Sequence, residues 1–173
     1  MVVYGHHIAI PTSPDVFGDG NHETTRFLLY FLNRYVEGRT MLDVGCGSGI
    51  LSVFASKRGA LSVTAIDCDS NAIECTKRNT EENGTDITII SADINQPMSL
   101  NADIVSANFA RWDALDNLPY LEGLVSQNGF LITTWYKELP NGVLEEKFEV
   151  VDYIEGIEYD SYVLRKTYNR GKK

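Results

Sequence analysis

From His22 onward the apolar positions Phe27, Leu28, Phe31, Leu32 and Tyr35 recur every three or four residues. That spacing places them on one face of a helix over roughly 22–36, closed by Gly38. Beyond it, short apolar runs alternate with amphipathic ones. Strands are predicted at 40–44, 61–66, 87–90, 103–108 and 130–135, with helices at 49–57, 70–82 and 114–125. Asp69 or Ser70 suits the N-cap of the helix at 70–82, and Gly84 follows its end. Phe148 to Ile154 and Tyr159 to Tyr168 are strand-like runs around Gly156, and they predict a closing antiparallel hairpin. Residues 1–20 hold Pro11, Pro14, Gly5, Gly18 and Gly20 and read as an extended arm with turns. The pattern as a whole predicts an α/β fold in one domain over 1–173. Its core is a doubly wound, mostly parallel seven-stranded sheet that ends in the antiparallel hairpin. Ligands bind such sheets at the carboxyl ends of the strands.

The chemistry-bearing residues fall at those ends. The first strand runs into Asp43-Val44-Gly45-Cys46-Gly47-Ser48-Gly49. Glycines at alternate positions between a strand and a helix let a ligand lie against bare backbone. An acidic residue two before the first glycine favours a cofactor with a cationic or hydroxyl-rich end over a pyrophosphate. S-adenosylmethionine has that chemistry: an ammonium, a sulfonium, a ribose and an adenine. Asp43, Gly45, Gly47 and Gly49 are therefore candidate cofactor residues. Asp67 ends the second strand and suits both ribose hydroxyls. Asp93 follows the third strand, where an acceptor meets the adenine amino group and Ile94 the ring. Asn108 ends the fourth strand, where a methyl acceptor sits in such a fold, and its amide makes it the candidate catalytic residue. Phe109 and Trp112 offer faces to a sulfonium or a cationic substrate. The glycine-flanked loop Phe17-Gly18-Asp19-Gly20-Asn21 would fold over the cofactor, with Asn21 or Thr24 capping the helix behind it.

Composition narrows the partners. Fifteen Lys and Arg stand against twenty-four Asp and Glu, a formal charge of −9. That balance argues against nonspecific binding along nucleic acid and suits a basic protein substrate. Cys46, Cys68 and Cys75 form no C-x-x-C pair, so neither a disulfide framework nor a zinc site is expected, and a reducing cytoplasm fits. His22 and Glu23 have no second set at ligand spacing, and no metal is expected. No apolar run approaches the ~20 residues needed to span a membrane.

Four runs carry a family resemblance. Leu42-Asp43-Val44-Gly45-Cys46-Gly47-Ser48-Gly49 resembles motif one of the class I S-adenosylmethionine-dependent methyltransferases. Phe17-Gly18-Asp19-Gly20-Asn21-His22-Glu23-Thr24-Thr25 resembles the F-G-T-G-x-H-x-T-T signature of the ribosomal protein L11 methyltransferase family, PrmA. Ile66-Asp67-Cys68-Asp69 and Val105-Ser106-Ala107-Asn108 are similar to that family's V-D-I-D and V-V-A-N runs. The resemblance implies a Rossmann-like methyltransferase fold, with Thr25, Gly45, Asp67 and Asn108 on the cofactor and Asn108 also bordering the acceptor. Asp19 replaces the family's threonine, an added carboxylate expected near the cofactor. The family's separate N-terminal recognition domain has no counterpart in these residues.

The expected reaction is methyl transfer from S-adenosylmethionine to a protein amine, with a ribosomal protein as the acceptor that the resemblance implies. A small-molecule acceptor and a non-catalytic S-adenosylmethionine-binding partner subunit are the alternatives. A nicotinamide dehydrogenase is disfavoured, because Gly45, Gly47 and Gly49 read G-x-G-x-G and position 50 is Ile.

Overall fold

The computed structural model describes residues 1–11, 16–93, 96, 98–108, 113–137 and 147–167, the side chains of 113–116 excepted. In chain order the elements are β1 (Val2–Val3), β2 (His6–His7), α1 (Glu23–Tyr35), β3 (Thr40–Val44), α2 (Ile50–Lys57), β4 (Ser62–Asp67), α3 (Ser70–Asn83), β5 (Thr88–Ser91), β6 (Ala102–Ala107), α4 (Asp113–Leu124), β7 (Val125–Tyr136), β8 (Phe148–Ile154) and β9 (Tyr159–Lys166).

Strands β3 to β9 form the expected seven-stranded sheet, in the order β5-β4-β3-β6-β7-β9-β8. The pairs from β5 to β7 are parallel, and β9 runs antiparallel to both β7 and β8. β8 therefore points the same way as β7, and its carboxyl end lies at the same end of the sheet. Alternation along each strand divides the core in two. Met41 and Ile104 pack under α1 and α2, with Leu28, Phe31, Leu32, Val53 and Phe54. Leu42 and Val105 pack on the other face, with Leu118, Leu121 and Leu124 of α4. Helices on both faces bury the central strands β3 and β6 almost completely, as parallel pairing requires, while the edge strands β5 and β8 stay partly exposed.

Three local departures have clear causes. The N-terminal arm folds into a two-residue hairpin, because Tyr4 and Gly5 both take positive φ, 46° and 84°. It lies on Phe54 and buries Ile8. The helix at 114–125 and the strand at 130–135 meet without a loop. Val125 already pairs with Ala102, and the register then shifts before Ile104 pairs with Phe130. Asn128, at φ 64°, turns the chain through that irregularity. Finally, α1 is capped by His22, whose ring nitrogen accepts from the Thr24 amide at 3.4 Å. Asn21 and Thr24 are not the cap. Among the described residues no helix is long and apolar enough to cross a membrane.

Candidate active site

A cavity of about 440 Å³ opens at the carboxyl ends of β3, β4 and β6. It lies where the strand order reverses, with β4 and β5 to one side of β3 and β6 and β7 to the other. Its floor is the glycine turn. The amides of Gly45 and Cys46 donate to the Ile66 carbonyl at 2.8 and 3.1 Å, tying the turn to the end of β4. The Gly47 amide donates to Asp67 Oδ2 and the Asp69 amide to Oδ1, both at 3.0 Å. Two backbone donors thus aim the Asp67 carboxylate and leave each oxygen further acceptor capacity toward the cavity.

The loop before α1 closes over this floor. Ser48 donates its amide to the Phe17 carbonyl at 2.9 Å and its hydroxyl to the Gly18 carbonyl at 2.5 Å. A Cβ on Gly47 would stand 2.6 Å from the Phe17 oxygen, so this approach requires glycine. On the far wall the Asn108 amide donates to Thr25 Oγ1 at 3.3 Å and accepts from Thr134 Oγ1 at 3.1 Å. The rings of Phe17, His22 and Tyr159 line the cavity, Phe17 meeting His22 at 5.3 Å and His22 meeting Tyr159 at 5.9 Å, and Tyr159 also meets Tyr136, outside the lining, at 5.5 Å.

Thr25, Gly45, Gly47, Asp67 and Asn108 all line this one cavity. Three other expected residues do not. Asp43 lies beneath it, 1% exposed, with its oxygens taken by Ser106 Oγ and Ser52 Oγ, both at 2.6 Å. Its strand alternation turns it toward α2. Burial pushes its carboxyl above the ordinary range, against the pull of those two serines. Gly49 sits behind the turn at φ 75°, where a Cβ would meet Thr76 at 2.8 Å, and it does not line the cavity. Asp93 stands past β5, exposed, with its carbonyl accepting from the Gln96 amide at 3.0 Å. The carboxylate of Asp19 folds back on the Asn21 amide and side chain at 2.9 and 2.7 Å, away from the cavity walls. Ile94, Phe109 and Trp112 lie outside the described residues. Tyr159 and Thr134 carry no local sequence signal, since their places depend on pairing across the sheet.

This donor set fits S-adenosylmethionine. Asp67 suits a vicinal diol, the bare backbone at Gly45 and Gly47 suits an amino-acid tail, and Ile50, Leu51 and Ala72 supply apolar wall. Sheet order, glycine turn, acid and amide together define a Rossmann-like methyltransferase. A ribosomal protein L11 methylase from Lactobacillus delbrueckii subsp. bulgaricus superposes with a TM-score of 0.84 at 27% identity, covering 97% of this chain and 90% of that one. The 16S rRNA N2 G1207 methyltransferase RsmC of T. Thermophilus, solved with AdoMet and guanosine, shares the fold at a TM-score of 0.83 and 20% identity, covering 96% of this chain and 49% of that one.

The chain belongs to the ribosomal protein L11 methyltransferase (PrmA) family, whose model matches residues 7–168. The L11 methyltransferase of Acetivibrio thermocellus is 37% identical over 91% of this chain and 53% of its own length. That of Thermotoga petrophila is 36% identical over 82% of this chain and 59% of its own length. The chain thus spans a little over half of these curated relatives.

Proposed function

We propose that residues 1–173 form a single catalytic domain that transfers a methyl group from S-adenosylmethionine to an amine of a protein, with a ribosomal protein as the leading acceptor. The observation that carries this is one cavity joining Asp67 and the glycine turn to Asn108 and Thr25. Family membership and the names of the relatives support the acceptor class. A cytoplasmic location follows from that acceptor.

Bound S-adenosylmethionine would supply a methyl already activated on a sulfonium. The chain's own task is then position, which contributes about 7–11 kcal/mol to such a reaction. Asp67 and the backbone of Gly45 and Gly47 hold the cofactor's nucleoside and tail. Asn108 Oδ1 keeps a lone pair beyond the bond from Thr134, and it accepts an N–H of the incoming amine. The amine must be neutral to attack, and the half-enclosed aromatic rim disfavours its charged form by desolvation. Among the described side chains lining the cavity no single acid or base is placed as catalytic, and the proton released by the methylated amine would pass to water.

The test is methyl-labelled S-adenosylmethionine with the purified chain and a host lysate split into protein, RNA and small-molecule fractions. Label in a large-subunit ribosomal protein is the expected outcome. Label confined to small molecules overturns the acceptor. No transfer, with S-adenosylhomocysteine still bound, favours a non-catalytic partner subunit.

A further inference from the structure

Glu23 occupies the first turn of α1, between the cap His22 and the cavity residues Thr24 and Thr25. Its carboxylate does not face the cavity. It accepts three consecutive backbone amides from the turn between β8 and β9: Ile157 on Oε2 at 3.1 Å, and Glu158 and Tyr159 on Oε1 at 3.1 and 3.3 Å. Those partners lie more than 130 residues away in the chain. Burial works to raise this carboxyl, but the three amides outweigh it and hold it below the ordinary carboxylate value. The turn is packed as well as bonded. Gly156 lies against Phe27 of α1, where a Cβ would come within 2.9 Å of the ring, and its amide donates to Asp160 Oδ1 at 3.2 Å. The last residue held, Tyr159, is a wall of the cavity and touches His22 and Tyr136 edge-on.

We propose that Glu23 is a positioning residue: by gathering the Ile157, Glu158 and Tyr159 amides it sets Tyr159 as the acceptor-side wall of the cavity. The reasoning is geometric. A hairpin turn leaves amides without ladder partners, and here the turn amides of Ile157 and Glu158, with that of Tyr159 at the start of β9, converge on one carboxylate. That carboxylate is rooted in the same helical turn that supplies Thr25. The glycine turn and Asp67 shape one side of the cavity without reference to β9. On the opposite side Asn108 and Thr25 hold each other, and Tyr159 enters from the start of β9, which Glu23 bonds. Loss of Glu23 would thus alter the acceptor side and spare the cofactor side. The inference rests on the methyltransferase reading given above.

The test compares two ligands, S-adenosylhomocysteine and sinefungin, by calorimetry. Sinefungin carries an amine where the cofactor has its methyl, so it probes the acceptor side as well. In Glu23→Ala, sinefungin affinity should fall about ten-fold while S-adenosylhomocysteine affinity holds, the cost of one well-placed contact. Tyr159→Ala should give the same change in the ratio, and the double variant no further change. Glu23→Gln, which keeps a single acceptor oxygen in the same shape, should fall between wild type and Glu23→Ala. Hydrogen exchange at 157–159 should speed up in Glu23→Ala with the core strands unchanged. A ratio unmoved in Glu23→Ala overturns the proposal, as does an equal weakening of both ligands or unchanged exchange at the three amides. If wild type binds neither ligand, the methyltransferase reading itself falls.

Discussion

Asp43 and Asp103 lie on adjacent strands of one sheet, at its opposite ends, and they are held in opposite ways. Asp103, at the start of β6, accepts the Thr40 amide at 3.0 Å, the Thr40 hydroxyl at 2.9 Å and the Ser126 hydroxyl at 3.2 Å. The Thr40 amide leads in holding its carboxyl below the ordinary range, and these bonds stitch β3 and β6 to the start of β7. Asp43 accepts the Ser106 and Ser52 hydroxyls and the Ser52 amide, in a place so enclosed that burial still drives its carboxyl upward. The amino end of the sheet spends its polar groups on closing the fold. The carboxyl end keeps groups such as Asp67 and Asn108 with capacity to spare, and Asp43 underlies the turn that presents them. The same residue type serves architecture at one end and support of a site at the other, according to what its neighbours donate.

The largest expected effect lies at the carboxyl end. Asp67→Ala removes the carboxylate that the Gly47 and Asp69 amides hold in place. S-adenosylhomocysteine affinity should drop about 100-fold or more, some 2.8 kcal/mol by the tenfold-per-1.4 rule. Calorimetry on the folded variant checks it, and near-normal affinity would remove Asp67 from the cofactor site. Gly49→Ala comes next and tests a glycine of the same motif that faces away. A left-handed alanine costs roughly 1–2 kcal/mol before Thr76 is displaced. Urea unfolding should show a loss of about 2 kcal/mol. The folded fraction should bind S-adenosylhomocysteine like wild type. A variant that is stable but does not bind would move Gly49 back among the ligand contacts.

The pair of aspartates gives a test by pH. For Asp103 the folded carboxyl titrates below its unfolded value of about 3.9, so its stabilisation is full above that pH and is lost as pH falls through the lower folded value. For Asp43 the folded carboxyl titrates above about 3.9, so ionisation opposes folding at neutral pH and the penalty fades as pH falls toward that value. The advantage of wild type over Asp103→Asn should therefore hold down to about pH 4 and shrink below it. Wild type should instead gain on Asp43→Asn as pH falls toward 4 from above. Urea unfolding of the three proteins across that range reads both slopes, and slopes of one sign would end the contrast.

Much of this was legible in the chain. The strand Thr40–Val44 and the turn behind it stand out because an apolar run meets glycines at alternate positions. The helix over 70–83 is marked by Asp69 before it and Gly84 after it, each in the cap geometry its type prefers. What stayed hidden depends on direction or distance. That Asp43 points under α2 follows from alternation relative to a layer the sequence does not display. Val125 reads as the end of a helix until Ala102 pairs with it. The two-residue hairpin at the amino terminus is too short for any period to show. Glu23 passes for an ordinary helix-start acid, because its partners are on the last hairpin.

The smallest effect tests how finely the carboxyl end is set. Thr134, on β7, is 1% exposed and lies outside the cavity lining, yet its hydroxyl donates to Asn108 Oδ1 while Thr25 receives the other end of that amide. Two hydroxyls therefore hold the plane of one amide. Thr134→Val keeps the shape and removes one of them. An amide held at one end rotates more freely, and the oxygen that meets an acceptor amine is then less often in place. The expected loss in methyl transfer is about three- to ten-fold, the worth of a single neutral hydrogen bond. S-adenosylhomocysteine affinity should stay unchanged, and Thr134→Ser should transfer at the wild-type rate. In an Asn108→Ala background the valine should add nothing, because the hydroxyl acts only through the amide. A further loss in that background would give Thr134 a contact of its own, and the spare capacity at this end of the sheet would extend one strand beyond Asn108.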